Sequence, residues 1–326
     1  MYIRYGFCTL AVMMFLFLVT ACEPAPLMVK ETRNMMDTRV TVSLYAQDQG
    51  AAQKALDAAF SEMEGIEDVY SAYDNRSLVA YLNQEKVLRN PPREVVRIFR
   101  KARYYSSITN GSFDITVQPM LHLYTHSFET LHRPPTASEV NTTLKLVGYD
   151  AIIVNDSMIR LEEGMKVTLG GIVKGYAIDQ ARDALLRHNI SSALIDAGGD
   201  MRSIGTKPDG EAWRVAVRDP DDRDNYLMDF TIMDKAVATS GNYERYFNEN
   251  KSFHHIVDPR TGYSAEGVIS ATVIAPTATQ ADALSTAVFV MGPEKGRDLV
   301  GRLERVEAMI VTDDREIVYS EGFPRT

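Results

Sequence analysis

Cysteine is nearly absent: the 326 residues contain two, Cys8 and Cys22, both within the first 22 positions. That count excludes a disulfide framework and any zinc centre built from four thiolates. Positive charge is also in deficit, with 35 Lys and Arg against 44 Asp and Glu and a formal charge of −9. A basic face that neutralises nucleic-acid phosphates is not what this balance describes, so no nucleic-acid partner is expected. Internal repeats and low-complexity segments are missing as well. What remains is 45% hydrophobic and 24% charged, the composition of a chain that builds a core.

The cysteines take their meaning from where they stand. Residues 1–22 read MYIRYGFCTLAVMMFLFLVTAC, with one positive charge at Arg4 and an apolar stretch from Phe7 to Val19. This is the pattern of a secretory signal peptide. A membrane-spanning anchor competes with it, but the stretch falls short of the roughly 20 residues a bilayer requires. The ending Val19-Thr20-Ala21-Cys22 resembles a bacterial lipobox, which implies cleavage before Cys22 and lipidation of its thiol. Cys8 then leaves with the signal, and thiol catalysis is excluded. The expected organisation is a signal over 1–21, a tether over 22–34 opening with EPAPL, and a single domain over 35–326. Such a protein is expected to be lipid-anchored in the bacterial cell envelope and periplasm-facing, on the outer face of the cytoplasmic membrane or the inner leaflet of an outer membrane.

Period-2 alternation from Met36 to Ala46 predicts a strand, and helical spacing of Ala52, Ala55, Leu56, Ala59, Phe60, Met63 and Ile66 predicts a helix over Gln49–Tyr70. Pro91-Pro92 opens a second helix that ends near Thr109-Asn110-Gly111. Thr136 and Glu139 form a capping box for a third, reaching Val147. Ile152–Val154 and Met158–Leu161 predict a hairpin. Helices are expected over Ile172–His188 and Ala281–Met291, among seven short strand-like runs between Ala193 and Val311. Strands and helices mixed without strict alternation predict an α+β fold with a largely antiparallel sheet core and flanking helices.

Five segments are candidates for chemistry. In TLGGIVKGYAID, from Thr168 to Asp179, a glycine pair leads into a helix whose first N–H groups suit a phosphate, with Lys174 one turn in. A plain turn before a core helix reads equally well. Gly198-Gly199 is either a hairpin turn or a close approach to a ligand, and Asp114 in TNGSFDITVQP either caps a helix or meets a ligand's polar edge. In HHIVDPRTG, adjacent histidines of a strand point to opposite faces, so one of them faces a site, and His255 is the candidate base. Asp282 and Thr286 stand four apart on one helix face, where two oxygen donors suit Mg²⁺, although Asp282 also reads as a first-turn cap.

Taken in order, SAYDNRSLVAYLN, TNGSFDITVQPM, TLGGIVKGYAID, ALIDAGGD, AVATSGNYERYF, HHIVDPRTG and ADALSTAV resemble blocks of the ApbE family of FAD:protein FMN transferases, from Met36 to about Gly292. The resemblance implies Mg²⁺-dependent cleavage of FAD, with FMN passing to a threonine hydroxyl of a target protein and AMP leaving. It implies magnesium ligands at Asp282, Thr286 and the Gly171 carbonyl, with Ser285 standing where some members carry a second carboxylate. Flavin contacts are implied at Met36, Tyr73, Ser112, Phe113, Asp114, Thr168, Lys174, His255 and Ile256. Thr168 replaces the aspartate common before the Leu-Gly-Gly turn. His255 is the expected base and Asp282 a weaker candidate for that role. The implied partner is a flavin-carrying subunit of a membrane redox complex. Two other functions stay open on the residues alone: a pyrophosphatase yielding FMN and AMP, and a lipoprotein that binds FAD without chemistry.

Overall fold

The computed structural model describes residues 25–325 apart from 73, 223 and 250. Cys22, the signal segment and Tyr73 therefore lie outside the described residues. In chain order the elements are β1 (Leu27–Met35), β2 (Thr38–Ala46), α1 (Gln49–Tyr70), α2 (Leu78–Glu85), β3 (Val87–Arg89), α3 (Arg93–Ile108), α4 (Gln118–Glu129), α5 (Ala137–Leu144), β4 (Ile153–Val154) and β5 (Met158–Arg160). They continue with α6 (Val173–Arg187), β6 (Ala193–Ala197), β7 (Asp200–Ile204), β8 (Trp213–Arg218), β9 (Tyr226–Ile232), β10 (Ala236–Gly241), β11 (Val268–Ala275), α7 (Ala278–Met291), α8 (Pro293–Val300), β12 (Glu307–Thr312) and β13 (Ile317–Tyr319).

Eight strands form one antiparallel sheet in the order β1-β2-β6-β7-β10-β11-β12-β13, as the mixed pattern predicts. Both faces of this sheet are covered. On one face, Val40, Val42 and Leu44 of β2, Ile195 of β6 and Ala271 and Val273 of β11 pack with α1, α6 and α7 in the main core. On the other, Val237, Ile274, Met309 and Val311 pack with Trp213, Val215 and Phe230 of the β8–β9 hairpin. Alternate residues of each strand serve opposite faces, which is the period-2 rule at work.

Several boundaries differ from expectation. Residues 27–34, assigned to the tether, belong to edge strand β1, whose register with β2 runs from Leu27↔Ala46 to Met35↔Thr38. Its sequence LMVKETRNM hides this because one face is solvated and polar, as edge strands tend to be. Met36 and Asp37, with φ of 54° and 56°, form the two-residue turn that joins the strands. The helix at Thr136 has the predicted capping box but stops at Leu144. The predicted 152–161 hairpin forms as β4–β5 and gains β3 as a third strand. Helix α7 begins at Ala278, three residues earlier than its apolar spacing suggested, with Thr277 as its N-cap. Among the described residues no helix is long and apolar enough to cross a membrane.

Candidate active site

The start of α6 docks against the start of α7, and three devices fix that contact. A Cβ on Gly175 would lie 2.2 Å from the Ala278 carbonyl oxygen and 2.8 Å from Asp282 Cβ, so only glycine lets the helices approach this closely. The freed Gly175 N–H donates to Asp282 Oδ2 at 2.8 Å. One turn on, Asp179 accepts from the N–H groups of Ala278 and Thr279 at 2.8 and 3.0 Å and from Thr279 Oγ1 at 2.6 Å, and it pairs with buried Arg202. A carboxylate at the N-terminus of α7 satisfies N–H groups that the helix leaves open and complements its dipole.

Asp282 therefore sits in the second turn of α7 and does not cap it. Thr286, one turn further, lies 3.2 Å from Ser240 Oγ of β10, and Ser285 lies 2.9 Å from the same hydroxyl. The Thr168–Gly171 turn closes over them: a Cβ on Gly171 would lie 3.1 Å from Thr286 Oγ1 and 3.3 Å from Phe113. Within the turn, Thr168 Oγ1 accepts from the Gly170 N–H at 3.3 Å, and its own N–H donates to Ile115. Gly171 is thus brought, across more than a hundred positions of sequence, to the α7 face that carries Asp282, Ser285 and Thr286.

Lys174 enters from the first turn of α6 and meets Asp200 Oδ2 at 3.2 Å. Asp200 follows the turn formed by Gly198 and Gly199, whose φ of 66° and 102° make it the hairpin that two glycines allow. Burial raises the pKa of Asp282 to about 8, and the neighbouring Asp200 pushes the same way. Asp200 is raised by burial too, with Lys174 opposing. Burial also works against the Lys174 charge, but Asp200 and Asp282 outweigh it and its pKa rises. One ammonium faces two buried carboxyl groups, and burial favours the neutral form of Asp282 unless a further cation is present. Asp200 and Ser240 lie within AGGD and VATSGNY without a role readable from the sequence; a neighbouring glycine, Gly199 and Gly241, was the available signal.

The two histidines divide, one buried and one facing the site, although the expected strand does not form: His254 makes an isolated bridge to Tyr246 and His255 lies in a bend. His254 is buried, donates through Nε2 to the Ala265 carbonyl at 3.0 Å and accepts the Ile256 N–H at Nδ1. Its ring meets Phe289 edge-on, so it is a core residue. His255 is half-buried, and its Nδ1 donates to the Arg245 carbonyl at 2.9 Å, which leaves the lone pair on Nε2. Burial lowers its pKa to about 4, and the Lys174 charge contributes in the same direction. The imidazole is thus neutral at pH 7. Ile256 beside it is buried.

Around the other expected contacts the picture is mixed. Ser112 is buried with Oγ lacking a hydrogen-bond partner among the described residues, beside buried Phe113. Asp114 caps the short helical turn at 115–117: Oδ1 accepts from Thr116 N and Oγ1, and Oδ2 from Tyr149 N. It borders an open cavity of about 270 Å³ shared with Asn110, Tyr149 and Arg260. Met36 lies in the β1–β2 turn, partly buried against the core, where Asp37 pairs with Arg245 at 3.3 Å.

The model of the ApbE family matches residues 36–310. This chain belongs to the ApbE family. An FAD:protein FMN transferase of Klebsiella pneumoniae is 30% identical over 295 residues, covering 88% of this chain and 90% of that one. The crystal structure of the ApbE protein of Thermotoga maritima superposes with a TM-score of 0.83 at 34% identity, covering 91% of this chain and 98% of that one. The flavin transferase ApbE of Vibrio cholerae has a TM-score of 0.77 at 26% identity over 91% and 98% of the two chains. The ApbE relatives span nearly the same length as this chain, and the antiparallel sheet with helices on one side is the fold they share.

Proposed function

We propose that this protein is an FAD:protein FMN transferase, as its curated relatives are named. One observation carries the reading. A lysine, two buried carboxylates and three hydroxyls converge on a glycine turn at a helix N-terminus, within electrostatic reach of a neutral histidine. Cleaving a diphosphate requires charge neutralisation and an in-line nucleophile. The acceptor threonine Oγ attacks the phosphorus of the FMN half and its proton passes to His255 Nε2. The bond to the AMP phosphate breaks, and AMP leaves with its oxygen. The Arg245 carbonyl, by accepting a hydrogen bond from Nδ1–H, holds the tautomer that this role needs.

Among the described residues no three His, Cys, Asp or Glu side chains cluster as a metal site. The donors expected for Mg²⁺ are of another kind: the Asp282 carboxylate, the Thr286 hydroxyl and the Gly171 carbonyl. Their shared surroundings, two buried carboxyl groups beside one lysine, fit a hard cation that takes oxygen ligands and would favour the ionised form of Asp282. When bound, Mg²⁺ would neutralise developing charge on the diphosphate. We further propose that Cys22 is lipidated, that the protein faces the periplasm, and that its acceptor is a flavin-carrying subunit of a membrane redox complex.

The test is mass spectrometry of purified acceptor after incubation with this protein, FAD and Mg²⁺. A threonine-borne increase of one FMN is expected. Release of free FMN with no labelled acceptor would instead make it a pyrophosphatase, and FAD that stays intact would make it a binding protein.

A further inference from the structure

Asp200 stands outside every set of residues expected to touch FAD or a metal, yet it is only 2% exposed and both of its oxygens are engaged. Oδ1 accepts the Thr239 N–H from β10 at 3.2 Å, and Oδ2 meets Lys174 Nζ at 3.2 Å. Its backbone is fixed as well. It opens β7 directly after the Gly198–Gly199 turn, and Gly198 packs so tightly that a Cβ there would fall 2.2 Å from Thr38 Oγ1. The backbone of Asp200 is therefore set by the β6–β7 hairpin and its carboxylate by β10, and the flexible partner in the pair is the lysine.

We infer that Asp200 is a positioning residue for Lys174. An ammonium has three donors on a four-carbon stem, and an untethered lysine loses rotamer entropy when a ligand orders it. Asp200 takes one donor and fixes the stem before any ligand arrives. Two donors stay available to a ligand, and the Lys174 side chain remains 29% exposed. Anchoring on a carboxylate, in place of a carbonyl, also keeps the lysine charged where burial works against it. The ligand class is a dianionic diphosphate, so the inference rests on the FAD reading above.

A double-mutant cycle tests it. Asp200→Asn retains shape and the Thr239 hydrogen bond but removes the charge. It is expected to weaken FAD affinity, read by flavin fluorescence, about tenfold, the scale of one charge-assisted contact. In a Lys174→Met background the same change is expected to alter affinity less than twofold. Lys174→Met alone strands a buried carboxylate and should lower the thermal midpoint, whereas adding Asp200→Asn should restore it. Equal losses of affinity in both backgrounds, or none in the first, would overturn the positioning role. A second measurement needs no FAD: with Asp200→Asn, amine acylation of Lys174, followed by peptide mass spectrometry, should accelerate severalfold. An unchanged rate overturns the inference even if the chain binds no flavin. Failure of wild-type protein to bind FAD, with labelling accelerated, removes the transferase reading and leaves the Asp200–Lys174 bracket standing.

Discussion

The two faces of the eight-stranded sheet are both buried but are built from different material. Toward α6 and α7 the strands send Asp200, Arg202 and Ser240 among the apolar residues, and each meets a partner from a helix. Toward the β8–β9 hairpin, β10 and its neighbours β11 and β12 send Val237, Ile274, Met309 and Val311, which meet Trp213, Val215 and Phe230. Buried polar groups carry a desolvation cost unless they are paired, so a face that keeps them is constrained in geometry as well as in volume. The helical face is where chemistry is held, and the hairpin face closes the core. Substitutions should separate the two roles.

The largest effect is expected at Gly175. Alanine there would place a methyl 2.2 Å from the Ala278 oxygen and force α6 off α7. Overpacking of this kind costs about 1–3 kcal/mol or more, and here it also breaks the bond to Asp282. Both the thermal midpoint and the transfer rate should fall, the rate by more than about a hundredfold, since approximately 1 Å of misplacement has that scale. A variant that keeps wild-type rates would show that the helix contact does not set the site.

Next comes His255→Ala, expected to slow transfer by about 10²- to 10⁴-fold, the usual contribution of a general base, while FAD binding stays within a few-fold of wild type. The pH behaviour follows from its neutral state. Burial lowers the folded pKa to about 4, below the ordinary 6.5 of the unfolded chain. Its contribution to stability is therefore complete above pH 6.5 and is lost as pH falls from 6.5 through about 4. Melting curves should show wild type losing more stability than His255→Ala across that window, and the His255 ring resonance should titrate near 4. A midpoint at 6.5 would mean that the ring is solvated.

Ser240→Ala belongs to the same face with a smaller expected effect. It removes one hydroxyl from Ser285 and Thr286, and a single hydrogen bond contributes about 1 kcal/mol. Transfer should slow about fivefold, with FAD binding nearly unchanged. Loss of binding in parallel with rate would place Ser240 in contact with the flavin nucleotide and not behind Thr286.

Much of this was legible in the sequence where the signal was local. Helix α1 runs over Gln49–Tyr70 as its spacing predicts, and only one histidine of the pair faces the site, although in a loop with a single bridge and not in the expected strand. Boundaries failed where the local signal was weak: α7 starts among small polar residues, Thr277 to Gln280, and that shift moves Asp282 from the first turn to the second. Edge strand β1 was hidden by its polar, solvated face. The pairing of Lys174 with Asp200, and of Ser240 with Thr286, joins residues 26 and 46 positions apart. No periodicity reports such contacts; they exist only once the sheet order has been set.

The smallest effect on the reaction should come from the hairpin face, although its effect on the fold is large. Phe230 is 3% exposed and meets Phe323 edge-on at 5.4 Å between ring centres. Replacing it with alanine removes a large buried side chain and should cost about 3–5 kcal/mol in denaturant unfolding. Its strand carries none of the groups that meet Lys174, Asp282 or His255, and the cavity would open on the far side of β10 and β11. FAD affinity and transfer rate per folded molecule should stay within about twofold of wild type, as expected for sites that share no partners. A larger loss at temperatures where the variant is fully folded would mean that the hairpin face sets the spacing of β10 against α7. The sheet would then transmit packing from one face to the other, and the division of labour between its faces would not hold.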